Sequence, residues 1–235
     1  MFTFKGGCKL ILWDELPVEM KNESVRKYYD LLSQKRVSLI MKRLVDLLLS
    51  LFLLVVLSPV MVIIAVCIKC SSKGSVLFKQ TRVTKYYRRF KIYKFRTMVV
   101  DAEKIGTQVT TENDSRVTKI GKFLRKFRLD ELPQLLNILK GDMAFVGTRP
   151  EVPRYVQQYS EQMYATLLMP AGLTSLASIN FKDEDKLLKN KENTDEVYIK
   201  EILPKKMEYN LEYIENFNFW YDWKLMFNTV LAVLK

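Results

Sequence analysis

The sequence predicts a mainly helical α+β protein attached to one face of a membrane, and three observations predict this fold class. An apolar run without charge, Leu47 to Ile68, contains Ser58-Pro59 near its centre, and basic residues flank it on both sides. Residues 76–98 then alternate as a β-hairpin does, and helical periodicity follows. We therefore expect a re-entrant membrane helix broken at Ser58-Pro59 and a small cytoplasmic domain with a short β-hairpin.

The composition favours a phosphate-bearing partner and excludes the chemistry of histidine. The chain of 235 residues carries 38 Lys and Arg against 26 Asp and Glu, a net charge of +12. Such a surplus favours nucleic acid, anionic lipid or a charged substrate. The absence of histidine removes the commonest general base and the commonest zinc ligand. Catalysis would then depend on carboxylates, Lys, Tyr, Ser or Cys, and any metal would be one that prefers oxygen.

The chain divides into three predicted regions. Residues 1–37 form an amphipathic N-terminal extension of mixed charge, residues 38–70 form the membrane hairpin, and residues 71–235 form the cytoplasmic and interfacial domain. Cys67 and Cys70 have the spacing of a redox or zinc pair, but they close an apolar run and lack a second ligand pair. We interpret that spacing as coincidence.

The apolar run is predicted to enter and leave the membrane on the same side. A straight helix over Leu47–Ile68 would be about 33 Å long, which is enough to cross a bilayer. Pro59 removes a backbone donor and clashes with the preceding turn, so each half becomes too short to cross. Ten Lys and Arg residues and no acid lie between Lys69 and Val100. A span would place one basic flank on the wrong side. A proline-kinked single span is the alternative.

Both edges of the membrane region carry further signals. Asp46 lies one helical turn after Lys42 and Arg43, which predicts an ion pair with one of them. The same two basic residues are candidates to hold a lipid phosphate. At the C-terminus, aromatic residues crowd the segment "FNFWYDWKLMFNTVLAVLK". This crowding predicts a helix at the membrane interface.

The soluble middle is predicted from short patterns. "SVLFKQTRV" and "RRFKIYKFRTM" are strand candidates joined by "TKYY". "RVTKIGKFLRKF" begins a helical pattern that "ELPQLLNILK" continues, with Gly141 as the C-cap. Residues 101–118 are predicted to form a loop, and residues 151–168 and 183–214 to be helical. No glycine-rich phosphate loop occurs, which argues against a Rossmann or P-loop fold.

The stretch "FRLDELPQLLNILKGD" contains the most informative polar residues. Asp130 and Glu131 follow Arg125 and Arg128, and Pro133 lies just downstream. One interpretation is a helix N-cap with a proline in the first turn. The other is a site that uses a carboxylate against an anionic ligand, with arginines nearby. The two interpretations are compatible.

Three segments resemble a known family: "KRLVDLLLSLFLLVVLSP", "KFRTM" and "LRKFRLDELPQLLNILKGDMAFVGTRP". They are similar to those of the bacterial sugar transferases, the small monotopic phosphoglycosyl transferases, over roughly residues 38–235. The resemblance implies transfer of a phospho-sugar from a nucleotide diphosphate-sugar, usually a UDP-sugar, to polyprenyl (undecaprenyl) phosphate with release of UMP. It implies the cytoplasmic face of the bacterial inner membrane and the first membrane step of a surface glycan pathway. Downstream glycosyltransferases would be further partners.

The resemblance also implies roles for individual residues. Asp130 would be the nucleophile of a phosphosugar-aspartyl intermediate, paired with Glu131, and Asp130 would contact the Mg²⁺ that the family requires. Lys94, Arg125 and Arg149 match positions expected to bind substrate phosphates. Physical reasoning supports these roles. A carboxylate nucleophile replaces one displacement between two anions with two separate steps, and cations must surround the phosphates because the reactants repel each other.

Departures from the family pattern leave rival interpretations open. The family's Pro-Arg-Pro is Thr148-Arg149-Pro150 here, and we expect Thr148 to loosen the turn that aims the arginine. The stretch from Met169 to Phe181 differs most, since the family usually has Arg-Pro-Gly, Thr-Gly and Ala-Gln where this chain has Met169, Ala171, Ser175 and Ser178. One rival is therefore a catalytically weakened, membrane-attached relative that acts as a binding or scaffold protein. A nucleic-acid binder is the other, but no recognition motif supports it and we expect no nucleic-acid partner.

Overall fold

The computed structural model describes residues 10–102, 114–181 and 194–234. Helices within these ranges are α1 (Glu23–Ser33), α2 (Arg36–Ser71), α3 (Lys119–Lys126), α4 (Leu135–Lys140), α5 (Pro153–Val156), α6 (Leu176–Asn180), α7 (Thr194–Val197), α8 (Leu203–Asn216) and α9 (Phe219–Leu234). Strands are β1 (Leu77–Thr84), β2 (Arg88–Phe95), β3 (Met143–Val146) and β4 (Ala171–Thr174). Short 3-10 helices occupy Trp13–Glu15, Val18–Met20, Lys85–Tyr87, Leu129–Gln134 and Met163–Leu168, and Tyr198–Ile202 is a π-helix. This architecture confirms that the protein is mainly helical and α+β, as predicted.

The predicted hairpin is confirmed. Strands β1 and β2 pair antiparallel from Leu77 opposite Phe95 to Thr84 opposite Arg88. The connection between them turns at Tyr86, whose φ of 58° lies in the left-handed region. Alternation of apolar and polar residues was sufficient to locate both strands because one face of the hairpin is buried.

A second sheet consists of β3 and β4, which pair in parallel. Local sequence patterns do not predict this pairing, because the two strands are far apart in the chain. A Cβ placed on Gly172 would lie 2.4 Å from the backbone nitrogen of Gly147. The two glycines therefore allow the chain after β3 to cross β4 at close range, a contact that no local pattern reveals.

The helical pattern predicted around the Asp-Glu pair is divided into pieces. Helix α3 ends at Lys126, and Arg128 adopts a left-handed conformation with φ 55°. A 3-10 helix, Leu129–Gln134, follows before α4 begins. Gly141 caps α4 with φ 82°, as predicted. The predicted N-cap role of Asp130 is wrong, because Arg128 occupies the cap position of the 3-10 helix and no side chain caps it.

Two further helical predictions are confirmed in part. Residues 151–168 contain only α5 and the 3-10 helix Met163–Leu168. The charged region is helical from residue 194 onward, and Pro204 lies in the first turn of α8, where a missing N–H is tolerated. Residues 183–193 of that region and residues 103–113 of the predicted loop lie outside the described residues.

The described part of the N-terminal extension packs into the main core. Its buried side chains touch apolar residues of the segments that follow β3 and of α8. These N-terminal side chains are Leu16, Met20, Val25, Tyr28 and Leu32. Hydrogen bonds support the packing: Asn22 donates to the carbonyl of Glu161, and the hydroxyl of Tyr28 accepts from Gln162. The segment therefore completes a hydrophobic core rather than lying beside it.

Helix α2 runs unbroken from Arg36 to Ser71, so the predicted break at Ser58-Pro59 is not confirmed. The side chains themselves supply a physical reason. Pro59 has no N–H to donate to the carbonyl of Val55, and the Ser58 hydroxyl donates to that carbonyl instead, at 2.8 Å. A serine hydroxyl can thus satisfy an acceptor that a proline leaves open.

An apolar surface covers the outer side of α2 and α9. By length and composition α2 could cross a membrane, and only 11% of its most apolar stretch is buried. Soluble proteins rarely expose so much contiguous apolar surface. The exposed side chains include Leu51, Phe52, Val55, Val56, Ile63 and Val66 on α2, and Trp220, Trp223, Phe227 and Val230 on α9. Such a surface is compatible with membrane association from one side.

Helix α3 approaches the end of β2 through a glycine, and this contact carries a testable prediction. A Cβ on Gly121 would lie 2.1 Å from the carbonyl oxygen of Thr97, which already accepts the backbone N–H of Thr118 at 2.9 Å. We expect Gly121→Ala to lower the free energy of unfolding by about 1–3 kcal/mol through overpacking. Unfolding in detergent would measure it, with Lys122→Ala, at an exposed position of the same helix, as control. Equal stability of both variants would contradict the close approach.

Candidate active site

The Asp130-Glu131 pair lies on the 3-10 helix Leu129–Gln134, which packs against β2. Asn137 on α4 fixes this packing, since its Oδ1 accepts the N–H of Tyr93 at 3.0 Å and its Nδ2 donates to the carbonyl of Lys91 at 2.8 Å. The buried amide pairs with β2 as another strand would. It thereby fixes the strand that carries Lys94 against the segment that carries the carboxylates. Sequence patterns assign no role to Asn137, whose only signal is one polar residue inside "LLNILK".

Glu131 is held by cations. Its Oε1 accepts from Nζ of Lys94 at 2.8 Å and lies 3.7 Å from Nη1 of Arg128. Burial acts to raise the pKa of this carboxyl group, but Lys94, Arg128 and Arg149 outweigh it and the pKa falls below its ordinary value. Glu131 is therefore a charged carboxylate with a fixed position.

Asp130 differs from its neighbour in its direct partners and in the net direction of its pKa shift. Its side chain is buried, with 7% of the residue exposed. Among the described residues it accepts no hydrogen bond and forms no ion pair. Burial raises the pKa of Asp130, Lys94 opposes that rise, and the charge of Glu131 adds to it. A buried carboxylate without a partner is costly unless it acts on a ligand, which makes Asp130 a functional-site candidate.

Arg125 reaches the same region from α3. Its Nε donates to Oγ1 of Thr97 at 2.9 Å, which orients the guanidinium beside the end of β2. Its charge also acts to lower the pKa of Asp130. Gly121 and Arg125 lie one turn apart on α3, so the close approach of this helix to Thr97 positions the arginine.

Arg149 approaches the pair from the loop after β3. Its Nη1 donates to Oγ of Ser178 at 2.9 Å, and its backbone N–H donates to Oδ1 of Asn210 at 3.3 Å. Its charge acts to lower the pKa of Glu131. The fold therefore brings the three cations predicted to bind phosphate to one carboxylate pair: Lys94 on β2, Arg125 on α3 and Arg149 on this loop. Their roles in binding phosphate stay predictions.

Backbone hydrogen bonds hold the loop that carries Arg149 against the segment before β4. Thr148 donates its N–H to the carbonyl of Pro170 at 3.2 Å, and its own carbonyl accepts from Gly172 at 2.8 Å. A proline at position 148 could not make the first of these bonds. The expectation that threonine loosens this turn is therefore wrong, because the threonine N–H contributes a bond to the segment leading into β4.

Lys42 has an internal partner that the sequence patterns do not predict. Its buried Nζ donates to Oδ2 of Asp222 at 2.7 Å and to the carbonyl of Val146 at 2.6 Å. Asp46 instead accepts the backbone N–H of Phe145 at 2.9 Å. The predicted ion pair of Asp46 was therefore wrong. Lys42 is also a poor candidate for a lipid phosphate, because its ammonium group is buried and bonded within the protein.

Arg43 makes a different internal contact. Its guanidinium donates to the carbonyls of Ile138 and Leu139 at 2.7 and 3.0 Å. These carbonyls belong to the last turn of α4, where the carbonyl of Ile138 also accepts the N–H of the capping residue Gly141 at 3.0 Å. Arg43 therefore joins α2 to the helix that follows the Asp-Glu pair, a function separate from the predicted contact with lipid phosphate.

Comparisons with known proteins identify the family. The model for bacterial sugar transferases matches residues 37–235. The UDP-glucose:undecaprenyl-phosphate glucose-1-phosphate transferase of Escherichia coli (strain K12) is 39% identical over 199 residues, covering 83% of this chain and 40% of the relative. The UDP-N-acetylgalactosamine-undecaprenyl-phosphate N-acetylgalactosaminephosphotransferase of Aeromonas hydrophila is 38% identical over 197 residues, covering 82% of this chain and 43% of the relative.

These two relatives are longer proteins, and the chain spans about two fifths of their length. A third relative, the uncharacterized sugar transferase EpsL of Bacillus subtilis (strain 168), is similar in size. It is 34% identical over 196 residues, which cover 83% of this chain and 88% of EpsL. The family match excludes only the first 36 of the 235 residues. The chain belongs to the bacterial sugar transferase family.

Proposed function

We propose that the chain is a phosphoglycosyl transferase that moves a sugar 1-phosphate from a UDP-sugar to polyprenyl phosphate and releases UMP. The observation that carries the proposal is the contrast between a buried, unpartnered Asp130 and a Glu131 held by Lys94. The names of the Escherichia coli and Aeromonas relatives, which specify undecaprenyl-phosphate acceptors, support the same reaction. This reaction would be the first membrane step in making a surface glycan, and downstream glycosyltransferases would act next.

The proposed reaction has two displacements at one phosphorus atom. A carboxylate oxygen of Asp130 attacks the phosphorus bonded to the sugar, and the P–O bond to UMP breaks. A phosphate oxygen of the polyprenyl lipid then attacks the phosphosugar-aspartyl intermediate, which releases Asp130 and forms a polyprenyl diphosphate-sugar. Lys94, Arg125 and Arg149 would offset the charge of the phosphates, since both reactants are anions.

The donor set fits Mg²⁺ bound together with substrate. No group of three or more Cys, Asp or Glu side chains arranged to hold a metal occurs in residues 10–102, 114–181 and 194–234. Mg²⁺ commonly takes one or two protein carboxylates and completes its coordination with water and substrate phosphates. Asp130 would hold the ion, with Glu131 adjacent. When bound, the ion would neutralise charge on the diphosphate.

We propose further that α2 is re-entrant and that the domain lies at the cytoplasmic face of the bacterial inner membrane. Both ends of the helix support this, because Leu39 near its start and Ile64 and Ile68 near its end are buried in apolar clusters with residues of the domain. A helix that left the domain to cross the bilayer would expose one of these ends. The basic flanks favour the cytoplasmic side.

Cysteine labelling would test the topology. Asp30→Cys and Lys79→Cys, made separately in a background without other cysteines, place one thiol before the helix and one after it. We expect an impermeant reagent to reach both from the same side of sealed vesicles. Labelling from opposite sides would instead establish a single span.

UMP release would test the reaction. Purified protein would be incubated with Mg²⁺, polyprenyl phosphate and a panel of UDP-sugars, with each component omitted in turn. Release with at least one donor, dependent on the lipid for turnover, is the expected result. Binding of donor or lipid without release for any sugar would favour the rival, a binding relative, for which the altered stretch Met169–Phe181 is the specific observation.

The pH profile of transfer should report on Asp130. A nucleophilic carboxylate must be deprotonated, so the rate should fall with decreasing pH through a midpoint above 3.8, the ordinary aspartate pKa, because burial raises the pKa of Asp130. The Lys94 ammonium group opposes this rise. Lys94→Met should therefore move the midpoint to higher pH, in addition to slowing the reaction. Single-turnover rates across pH would measure it, and a midpoint that stays constant or moves lower would contradict this assignment.

A further inference from the structure

We propose that Ser178 is a donor-binding residue that positions the guanidinium of Arg149 and offers its own hydroxyl hydrogen to a phosphate oxygen of the nucleotide-sugar. This inference rests on the proposed function and extends it to the stretch in which the chain departs most from the family pattern. It gives one residue of that stretch a specific role in binding the donor.

The parallel sheet brings the two residues together. Arg149 follows β3 and Ser178 lies on α6, which follows β4, so both come after strands whose carboxyl ends meet at one edge. Nη1 of Arg149 lies 2.9 Å from Oγ of Ser178. Because Gly147 and Gly172 let the two backbones approach closely at this edge, the contact is a consequence of the fold.

A count of hydrogens shows that one remains to be donated. Oγ of Ser175 accepts the backbone N–H of Ser178 at 2.9 Å, and the two serine oxygens lie 2.8 Å apart. Arginine only donates, so Oγ of Ser178 accepts from Arg149. The contact between the two hydroxyls uses one of their two hydrogens, and the other has no acceptor among the described residues.

Burial decides which serine keeps the spare hydrogen. Ser175 is 0% exposed, and a hydrogen left there would have neither water nor protein to accept it. Ser178 is partly exposed. The favourable arrangement therefore has Ser175 donating to Ser178, while the Ser178 hydroxyl directs its hydrogen away from the protein. The Ser178 hydroxyl, a neutral hydrogen-bond donor, then lies directly beside the Arg149 guanidinium, which is a charged donor.

This pair of donors suits an oxyanion. A guanidinium and a hydroxyl can each bond a different oxygen of a phosphate, and bonds to charged groups are about twice as strong as neutral ones. Arg149 is close enough to Glu131 to affect its charge state, so the phosphate would lie near the proposed nucleophile. Both the UDP-sugar and the acceptor lipid carry phosphate, and we assign the contact to the UDP-sugar because it carries two adjoining phosphates.

Steady-state kinetics with matched variants would test the assignment. Ser178→Ala should raise KM for the UDP-sugar about 10-fold or more, the effect of losing a hydrogen bond to a charged group, with a smaller change in kcat. Ser178→Thr keeps the hydroxyl and should restore KM to near the wild-type value. Asn180→Ala is the control, since the described contact of that side chain is with the carbonyl of Leu176 on the same helix. Thermal unfolding of every variant would check that each folds.

The outcomes separate this inference from the proposed function. Absence of UMP release by the unmodified chain would contradict the proposed function. An active chain in which Ser178→Ala leaves the donor KM unchanged, or raises only the KM for polyprenyl phosphate, would overturn the role of Ser178 alone. Equal impairment in Ser178→Thr would likewise remove the role of the hydroxyl. Should Ser178→Ala fold poorly, Ser178→Cys keeps the side-chain volume with weaker hydrogen bonding and should raise the donor KM in the same direction.

Discussion

Asp130→Asn is expected to lower UMP release by a factor on the order of 10³ or more, the usual consequence of losing a covalent nucleophile. The asparagine amide matches the carboxylate in size and removes only its charge and nucleophilicity. Single-turnover release of UMP, measured without the acceptor lipid, isolates the first displacement. Retention of release in this variant would exclude Asp130 as the nucleophile.

The same substitution should leave the protein as stable as before, or more stable. Burial raises the pKa of Asp130, which means that the folded state disfavours the charged form at neutral pH. Replacing the carboxylate by a neutral amide removes that unfavourable contribution. Loss of activity together with an unchanged or higher unfolding temperature would therefore separate a chemical role from a structural one.

Two further variants provide controls for Asp130→Asn. Asp30→Asn removes an exposed aspartate that pairs with Arg26 at 3.1 Å on α1, and it should retain activity. Glu131→Gln removes the partner of Lys94 without removing the proposed nucleophile. We expect it to slow transfer less than Asp130→Asn does, because the neighbouring carboxylate is still present. A greater loss of activity in Glu131→Gln than in Asp130→Asn would instead indicate that Glu131 is the nucleophile.

Lys42→Met is expected to lower the free energy of unfolding by about 3–5 kcal/mol, the range found when one partner of a buried ion pair is removed. Nζ of Lys42 lies 2.7 Å from Oδ2 of Asp222. Without it, the carboxylate of Asp222 would stay buried at the junction of α2 and α9, and the Tyr213 hydroxyl would be its one remaining side-chain partner among the described residues. Chemical unfolding in detergent or nanodiscs would measure the loss.

The matched control is an exposed ion pair. Arg26→Ala breaks the pair with Asp30 on α1, where both side chains are about half exposed, and should cost less than about 1 kcal/mol. Combining Lys42→Met with Asp222→Leu should recover much of the stability, because no unpaired charge from that bridge remains buried. If Lys42→Met costs no more than Arg26→Ala, the bridge does not hold the two helices together.

Local patterns were sufficient to predict much of the fold. The hairpin follows from alternation over eight-residue strands, and the Gly141 cap follows from one glycine after an apolar helix. The long apolar helix follows from the run without charge. These features depend on residues that are close in the chain, so a sequence pattern reports them directly.

Other features could not be predicted, because both partners must be placed before either can be interpreted. At Pro59, where the sequence predicts a break, the carbonyl that the proline leaves open accepts the Ser58 hydroxyl, and this bond depends on the rotamer of Ser58. The difference between Asp130 and Glu131 depends on Lys94, a lysine on another element that reaches only one of the two acids. Two adjacent carboxylates cannot be distinguished in a sequence, because only the folded structure shows which of them a cation contacts.

The sequence by itself therefore determined the family, the apolar helix, the hairpin and the identity of the carboxylates and cations. Tertiary structure alone decided how they pair: Lys42 with Asp222, Arg149 with Ser178, and Asn137 with the edge of β2. The physical reason is sequence separation. Periodicity and motifs record constraints between neighbours, whereas hydrogen bonds between distant elements exist only after packing has brought a donor and an acceptor to within about 3 Å.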